Sequence, residues 1–369
     1  MVVSRVALLL LFSTFFSCAR PQGNEALSTG PFHVGYKVLS LPYFNTAHSS
    51  DTIRIVLNIW YPTETKSGTR MQLLDYLHVH KKFLPREQYN EFANIESAEF
   101  KNFIDSNFGL PDSLQWLKLA KKSTRAFLNA PHSSKRFPLI IGRLRAFSTT
   151  YTHEFLASNG YVVCMINGVE DFPPDNRPLY HRQISREIEY YDVVRSYLSN
   201  SLKVATDKAG LMGFSGSGFS QFFVPMHQSN YDAVALLESG IFLDGDLFDI
   251  VSSHPYFDPK KFKTPLLFFY NKQRFEANVA SRNFQQLYTT EKFLVLFNDS
   301  TQHHWDFATE GIASALFLKN RPEKTAANQV RNFRMMNDLL LRFFDRFLKG
   351  GNNFNLSTES STIINSEGL

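Results

Sequence analysis

Cysteine is nearly absent from this chain: Cys18 and Cys164 are the two among 369 residues. So few thiols exclude a disulfide framework and a cysteine-based metal centre, and no metal is expected. Cys164, inside the apolar run GYVVCMIN, reads as a small buried hydrophobe. Dense basic charge is missing too. The formal net charge is +5, and Lys and Arg are interleaved with acids, as in HKKFLPREQ and RNFRMMNDLLLRFFDRFLKG. A nucleic-acid footprint forms a concentrated patch, so no nucleic-acid partner is expected. The apolar run of MVVSRVALLLLFSTFFSCAR is too short to span a bilayer. One Arg, that run and small residues around a Cys make residues 1–18 a secretory signal. FFSC resembles a bacterial lipobox, with cleavage before Cys18 and lipidation of its thiol. The expectation is an exported lipoprotein, anchored to the membrane on the periplasmic or cell-surface side.

What is present is a globular composition, 43% apolar and 20% charged, with 36 phenylalanines that imply a large aromatic core. PFHVGYKVLSL and DTIRIVLNIWYPTE alternate as strands. From about residue 71 to 131 the spacing turns helical, through LLDYLHVHKKFL, REQYNEFANIESAEFKNFIDSNFG and PDSLQWLKLAKKSTRAFLN, and predicts a helical insertion. Beyond it, the apolar runs RFPLIIG, YVVCMIN, KAGLMGF, DAVALLES, TPLLFFYN and KFLVLFN alternate with the helical patterns TYTHEFLASNG, ISREIEYYDVVRSYLSNSL and GFSQFFVPMHQ. Apolar strands alternating with helices predict an α/β fold, a mainly parallel sheet with helices on both faces. QVRNFRMMNDLLLRFFDRFLKGG predicts a final amphipathic helix, and residues 350–369 read as a loose polar tail.

GLMGFSGSGFSQFF carries the chemistry. A nucleophile elbow, G-x-S-x-G, needs small residues two before and two after its serine, between a strand and a helix. Ser215 has Gly213 before it and Ser217 then Gly218 after it, whereas Ser217 would have Phe219 two residues on. Ser215 is the better nucleophile. A phosphate-cradling loop would need a Lys after the glycines, and SGSGFSQ has none. Serine needs a base, and the base an orienting carboxylate, in the chain order Ser, acid, His. FNDSTQHHWDFATEG follows the last predicted strand and offers His303 and His304, between which spacing does not choose. For the acid, FFYNKQRFEAN contains only Glu276, while Glu238 ends the strand of AVALLESGIF. A carboxylate there needs a partner such as an imidazole.

Several segments resemble the platelet-activating-factor acetylhydrolases of the plasma and intracellular type II kind. TGPFHVGYKVL and IRIVLNIWYPTE are similar to that family's opening strands. RFPLIIGRLRAFSTTYTHEFLASNGYVVCMIN is similar to its central strand, oxyanion loop, helix and strand, and DKAGLMGFSGSG, AVALLESGIF, TPLLFFYN and STQHHWDF to its elbow, acid segment, next strand and histidine loop. The resemblance implies an α/β-hydrolase domain over residues 29–349, a serine esterase with Ser215 as nucleophile, Glu238 as acid and His304 as base. It implies oxyanion-binding backbone amides at Leu144 and Gly216, no cofactor, and a small ester or phospholipid of short acyl chain as substrate. The chain departs from the family in three places. PLIIGRLRAF lacks the usual His-Gly and is about two residues shorter, Glu238 stands for Asp, and Ser217 for Gly. Arg143 and Arg145 flank this loop as candidate anion contacts. A membrane-tethered binding protein that keeps the fold without catalysis is the rival reading, and an acyltransferase shares the same chemistry.

Overall fold

The computed structural model describes residues 27–44, 52–76, 121–144, 149–167, 177–201, 204–228, 230–239, 245–276, 284, 287–289, 291–298, 304–309, 312, 316–317, 322–351, 354 and 361–365. The strands are β1 (His33–Phe44), β2 (Thr52–Thr63), β3 (Thr69–Gln72), β4 (Ser123–Leu128), β5 (Pro138–Leu144), β6 (Val162–Asn167), β7 (Ala205–Phe214), β8 (Ala233–Leu237), β9 (Leu266–Asn271), β10 (Lys292–Phe297) and β11 (Ser361–Asn365). Helices α1 (Thr150–Ser158), α2 (Arg177–Ser201), α3 (Gly218–His227), α4 (Gly245–Ser252), α5 (Lys272–Glu276) and α6 (Glu323–Lys349) lie between them.

One sheet holds all the described strands, in the order β11-β10-β9-β8-β7-β5-β6-β2-β1-β4-β3. Its centre, β6-β5-β7-β8-β9-β10, is parallel throughout. The apolar runs explain why. β6, β8 and β9 are buried along their whole length, as strands covered on both faces must be. Successive residues then feed opposite cores. Leu267 and Phe269 of β9 join the core under α1 and α6, whereas Leu266, Phe268 and Tyr270 join the one under α2, α3 and α4. α6 contributes Leu339, Leu340, Phe343, Phe344 and Leu348, and α2 contributes Ile184, Ile188, Tyr191, Val194 and Leu198.

The strand order reverses once at the centre. From β5 the chain passes through α1 to β6 on one side, then through α2 to β7 on the other side of β5. Loops leaving β5 and β7 therefore diverge, and open α/β sheets bind ligands in the crevice between such loops.

Three expectations are corrected. STRAFL, read as part of a helix in the insertion, is strand β4, parallel to β1 and antiparallel to β3. Its burial alternates at Thr124 and Ala126, so pairing on both edges overrides its helical spacing. The rest of the insertion, residues 77–120, lies outside the described residues, as do residues 1–26 with Cys18. The tail is not loose throughout: Ser361–Asn365 pairs antiparallel with β10, covering an edge that would otherwise leave backbone donors and acceptors unpaired. Finally, α2 starts at Arg177 rather than at Ile184.

Beneath α1 lies a buried polar group. Trp60 Nε1 donates to the Tyr76 hydroxyl (3.1 Å), which donates to Glu154 Oε1 (2.6 Å), while the Arg125 amide donates to Glu154 Oε2 (2.9 Å). Burial raises the Glu154 carboxyl above its usual range. Next to it, His153 packs on the Trp60 ring at 4.5 Å, and neither ring nitrogen has a hydrogen-bond partner among the described residues. Burial lowers the His153 imidazole to about 3. In the unfolded chain the same ring takes a proton near 6.5. Stability associated with neutral His153 is thus complete above pH 6.5 and declines as pH falls towards 3. His153→Leu should flatten that decline, removing about 2 kcal/mol of the stability difference between pH 7 and pH 5 in urea-unfolding curves. An unchanged pH dependence would contradict the burial argument.

Candidate active site

β7 ends at Phe214, a turn of 3-10 helix covers Ser215–Ser217, and α3 begins at Gly218. Ser215 has φ +54°, the left-handed region that a residue with a Cβ seldom occupies. Such strain persists only where the surroundings fix it. Close packing supplies the constraint. A Cβ on Gly213 would lie 2.5 Å from the Gly218 Cα and 2.9 Å from Gln221 Oε1. A Cβ on Gly218 would lie 2.7 Å from the buried Ser239 hydroxyl. Glycine is required at both positions, and the second tight glycine is Gly218 rather than the residue two beyond Ser215. Gln221 is in turn held by the Tyr191 hydroxyl of α2, which accepts from its Nε2.

Glu238 follows β8 as Ser215 follows β7. Phe214 pairs with Leu237, so Ser215 and Glu238 leave neighbouring parallel strands at the same level, where strand spacing is about 4.8 Å. Glu238 also has a positive φ, +47°, and its residue is 1% exposed. Its amide donates to the Phe269 carbonyl (2.9 Å). Its Oε1 accepts from the Asn271 amide (2.7 Å), and its Oε2 from Arg274 Nη1 (2.5 Å). Burial, then the Glu238 charge, push the neighbouring Tyr270 hydroxyl well up.

His304 opens a 3-10 turn, His304–Phe307, after β10. The turn is anchored from below: Phe307 packs on Phe297 at 5.1 Å, and Asp306 Oδ2 accepts from Gln329 Nε2 of α6 (3.1 Å). The side chain of His304 and all of His303 lie outside the described residues. Ser215, Glu238 and the His304 backbone thus follow the C-terminal ends of β7, β8 and β10, one edge of the sheet.

Leu144 is the last residue of β5, whose end packs on the Ser215–Ser217 turn. Pairing of β5 with β7 reaches Gly142–Met212, so Leu144 continues beside Phe214. Gly216, the residue after the serine, is half-buried in the turn. The loop 145–148, with Arg145, lies outside the described residues. Arg143 does not serve as a free anion contact: its Nε lies 3.1 Å from Glu187 Oε1 of α2, with both side chains largely covered. Cys164 is fully buried in β6 and its thiol is pushed up by burial, as expected of a small buried hydrophobe. Glu276 closes α5, and its side chain lies outside the described residues.

Reading the loop after β9 for a carboxylate passed over the residues that hold one. Asn271 and Arg274, within YNKQRF, both bind Glu238, and Asn271 Oδ1 also accepts from the Arg274 amide (3.1 Å). Arg274 is the third residue after β9, within α5, and nothing in its local spacing marks it as a partner of Glu238.

No family model matches the chain, and neither does any curated protein. Among solved structures, the ferulic acid esterase from Streptomyces cinnamoneus matches with a TM-score of 0.60 at 19% identity, over 93% of this chain and 99% of that one. The AtxE2 isopeptidase with Astexin3-dC4 bound gives a TM-score of 0.48 at 12% identity, over 86% of this chain and 41% of that one. With the sheet order and helix layers above, the first likeness gives the chain an α/β-hydrolase-like fold.

Gly213→Ala tests the packing argument. Overlap with the Gly218 backbone cannot be relieved by a rotamer, and the variant should lose about 1–3 kcal/mol or more in urea unfolding. A wild-type midpoint would show that the turn is not held by this contact.

Proposed function

We propose that the chain is a carboxylic ester hydrolase acting through Ser215, Glu238 and His304. The observation that carries the reading is Ser215 at φ +54° on a strand-to-helix turn, level with a buried carboxylate on the next strand. Left-handed backbone at this turn lifts the serine side chain out of the sheet edge, which a structural serine would not need. His304 takes the proton as the Ser215 hydroxyl attacks the ester carbonyl, and Glu238 orients the imidazole and stabilises its charged form. The negative charge that develops on the carbonyl oxygen is met by backbone amides of Gly216 and the Leu144 region. Protonated His304 then gives its proton to the departing alcohol. Water repeats the cycle on the acyl-enzyme, and the acid product leaves with Ser215 restored.

Two substrate classes follow from what the chain resembles. The sequence resemblance favours short acyl chains on phospholipids, which suits a Cys18-anchored protein beside a membrane. The structural likeness is to an esterase of an aromatic acid. The test uses the chain without residues 1–18 on p-nitrophenyl butyrate, a short-acyl phospholipid and methyl ferulate. Hydrolysis of one or more is expected, and Ser215→Ala should reduce kcat/KM by at least about 1,000-fold. A folded chain that hydrolyses none of them, or a variant as active as the parent, would overturn the reading in favour of the binding protein.

A further inference from the structure

We infer that Arg274 is a positioning residue for the acid of this site: it fixes the Glu238 carboxylate and moderates how strongly that carboxylate holds the proton on His304. The inference rests on the reading of Ser215, Glu238 and His304 as one catalytic set. A carboxylate can accept about four hydrogen bonds. The chain spends two of them from a single short segment, the Asn271 amide on Oε1 and Arg274 Nη1 on Oε2, at 2.7 and 2.5 Å. Asn271 Oδ1 caps the Arg274 amide at 3.1 Å, so both donors belong to one rigid turn.

Burial makes this pair more than a surface contact. The Glu238 side chain is 0% exposed, whereas the Arg274 side chain is 43% exposed and lies over the Tyr270 ring at 5.5 Å. A carboxylate in that position without a cation would be costly, and an imidazolium forms there only during part of the cycle. Arg274 supplies the permanent positive charge. Glutamate also carries one more methylene than aspartate, hence one more rotor to immobilise. The clamp from Asn271 and Arg274 removes that freedom, and it explains how a glutamate serves at this strand end.

On the reading of Ser215, Glu238 and His304 as one set, Arg274 and the His304 imidazolium share one carboxylate. Removal of Arg274 should therefore raise the proton affinity of His304 while loosening the acid. The Arg274 guanidinium faces Glu238 directly, and Tyr270 is a titratable hydroxyl close to it.

The experiment uses the full chain in detergent, with histidine rings labelled for NMR and the His304 signal assigned from His304→Gln. Arg274→Gln should raise the His304 midpoint by about 0.5–1 pH unit and lower kcat on p-nitrophenyl butyrate by about tenfold, with KM within about twofold. Arg274→Lys keeps the charge and should restore the midpoint and part of kcat. An unmoved midpoint and kcat in Arg274→Gln would overturn the inference, as would a raised KM with kcat unchanged, which places Arg274 on the substrate instead. If the unaltered chain hydrolyses nothing, the esterase reading fails, and the titration still decides whether Arg274 acts through Glu238.

Discussion

The register between β7 and β8 is the constraint on which the site depends. Because Phe214 pairs with Leu237, the residues that follow emerge side by side, and both do so with left-handed backbone. A slip of one residue in either strand would turn the serine or the acid into the sheet. Register is secured from both faces, by Met212, Phe214, Ala235 and Leu237 in one core and Leu211, Val234 and Leu236 in the other. The packing of the sheet thus fixes where Ser215 and Glu238 emerge at its edge.

Strain at the edge is held by close contacts rather than by bulk. Gly213 and Gly218 allow the backbone to cross itself within a distance that any side chain would block. Gln221 and Tyr191 tie the first turn of α3 to α2, and Asn271 and Arg274 tie the acid to the turn after β9. Each tie comes from a different element, so the two positive-φ residues are over-determined, the condition under which such conformations persist.

How much of this was legible in the sequence depended on range. Strands β6, β8, β9 and β10 are continuous apolar runs, and burial on both faces is what such runs mean. The elbow was legible because its glycine-serine spacing is a local steric requirement. β4 was not, since its strand form comes from pairing with β1 and β3, neither adjacent to it in the helical-looking stretch where it lies. β11 was hidden in a polar tail whose STIIN segment acquires meaning only beside the open edge of β10. The Arg274–Glu238 ion pair joins the end of β8 to α5 beyond β9, and no spacing rule announces it. Arg143, one of two candidate anion contacts, has its partner Glu187 in α2, a pairing that local sequence does not show.

The central claim is that Ser215, and not Ser217 or another serine, is the activated nucleophile. Its most direct test is reaction of the native chain with a fluorophosphonate at neutral pH, followed by mass mapping of the modified peptide. A single adduct on Ser215, lost when the protein is unfolded beforehand, is the predicted result. An adduct on Ser217, or none on the folded chain, would contradict the account.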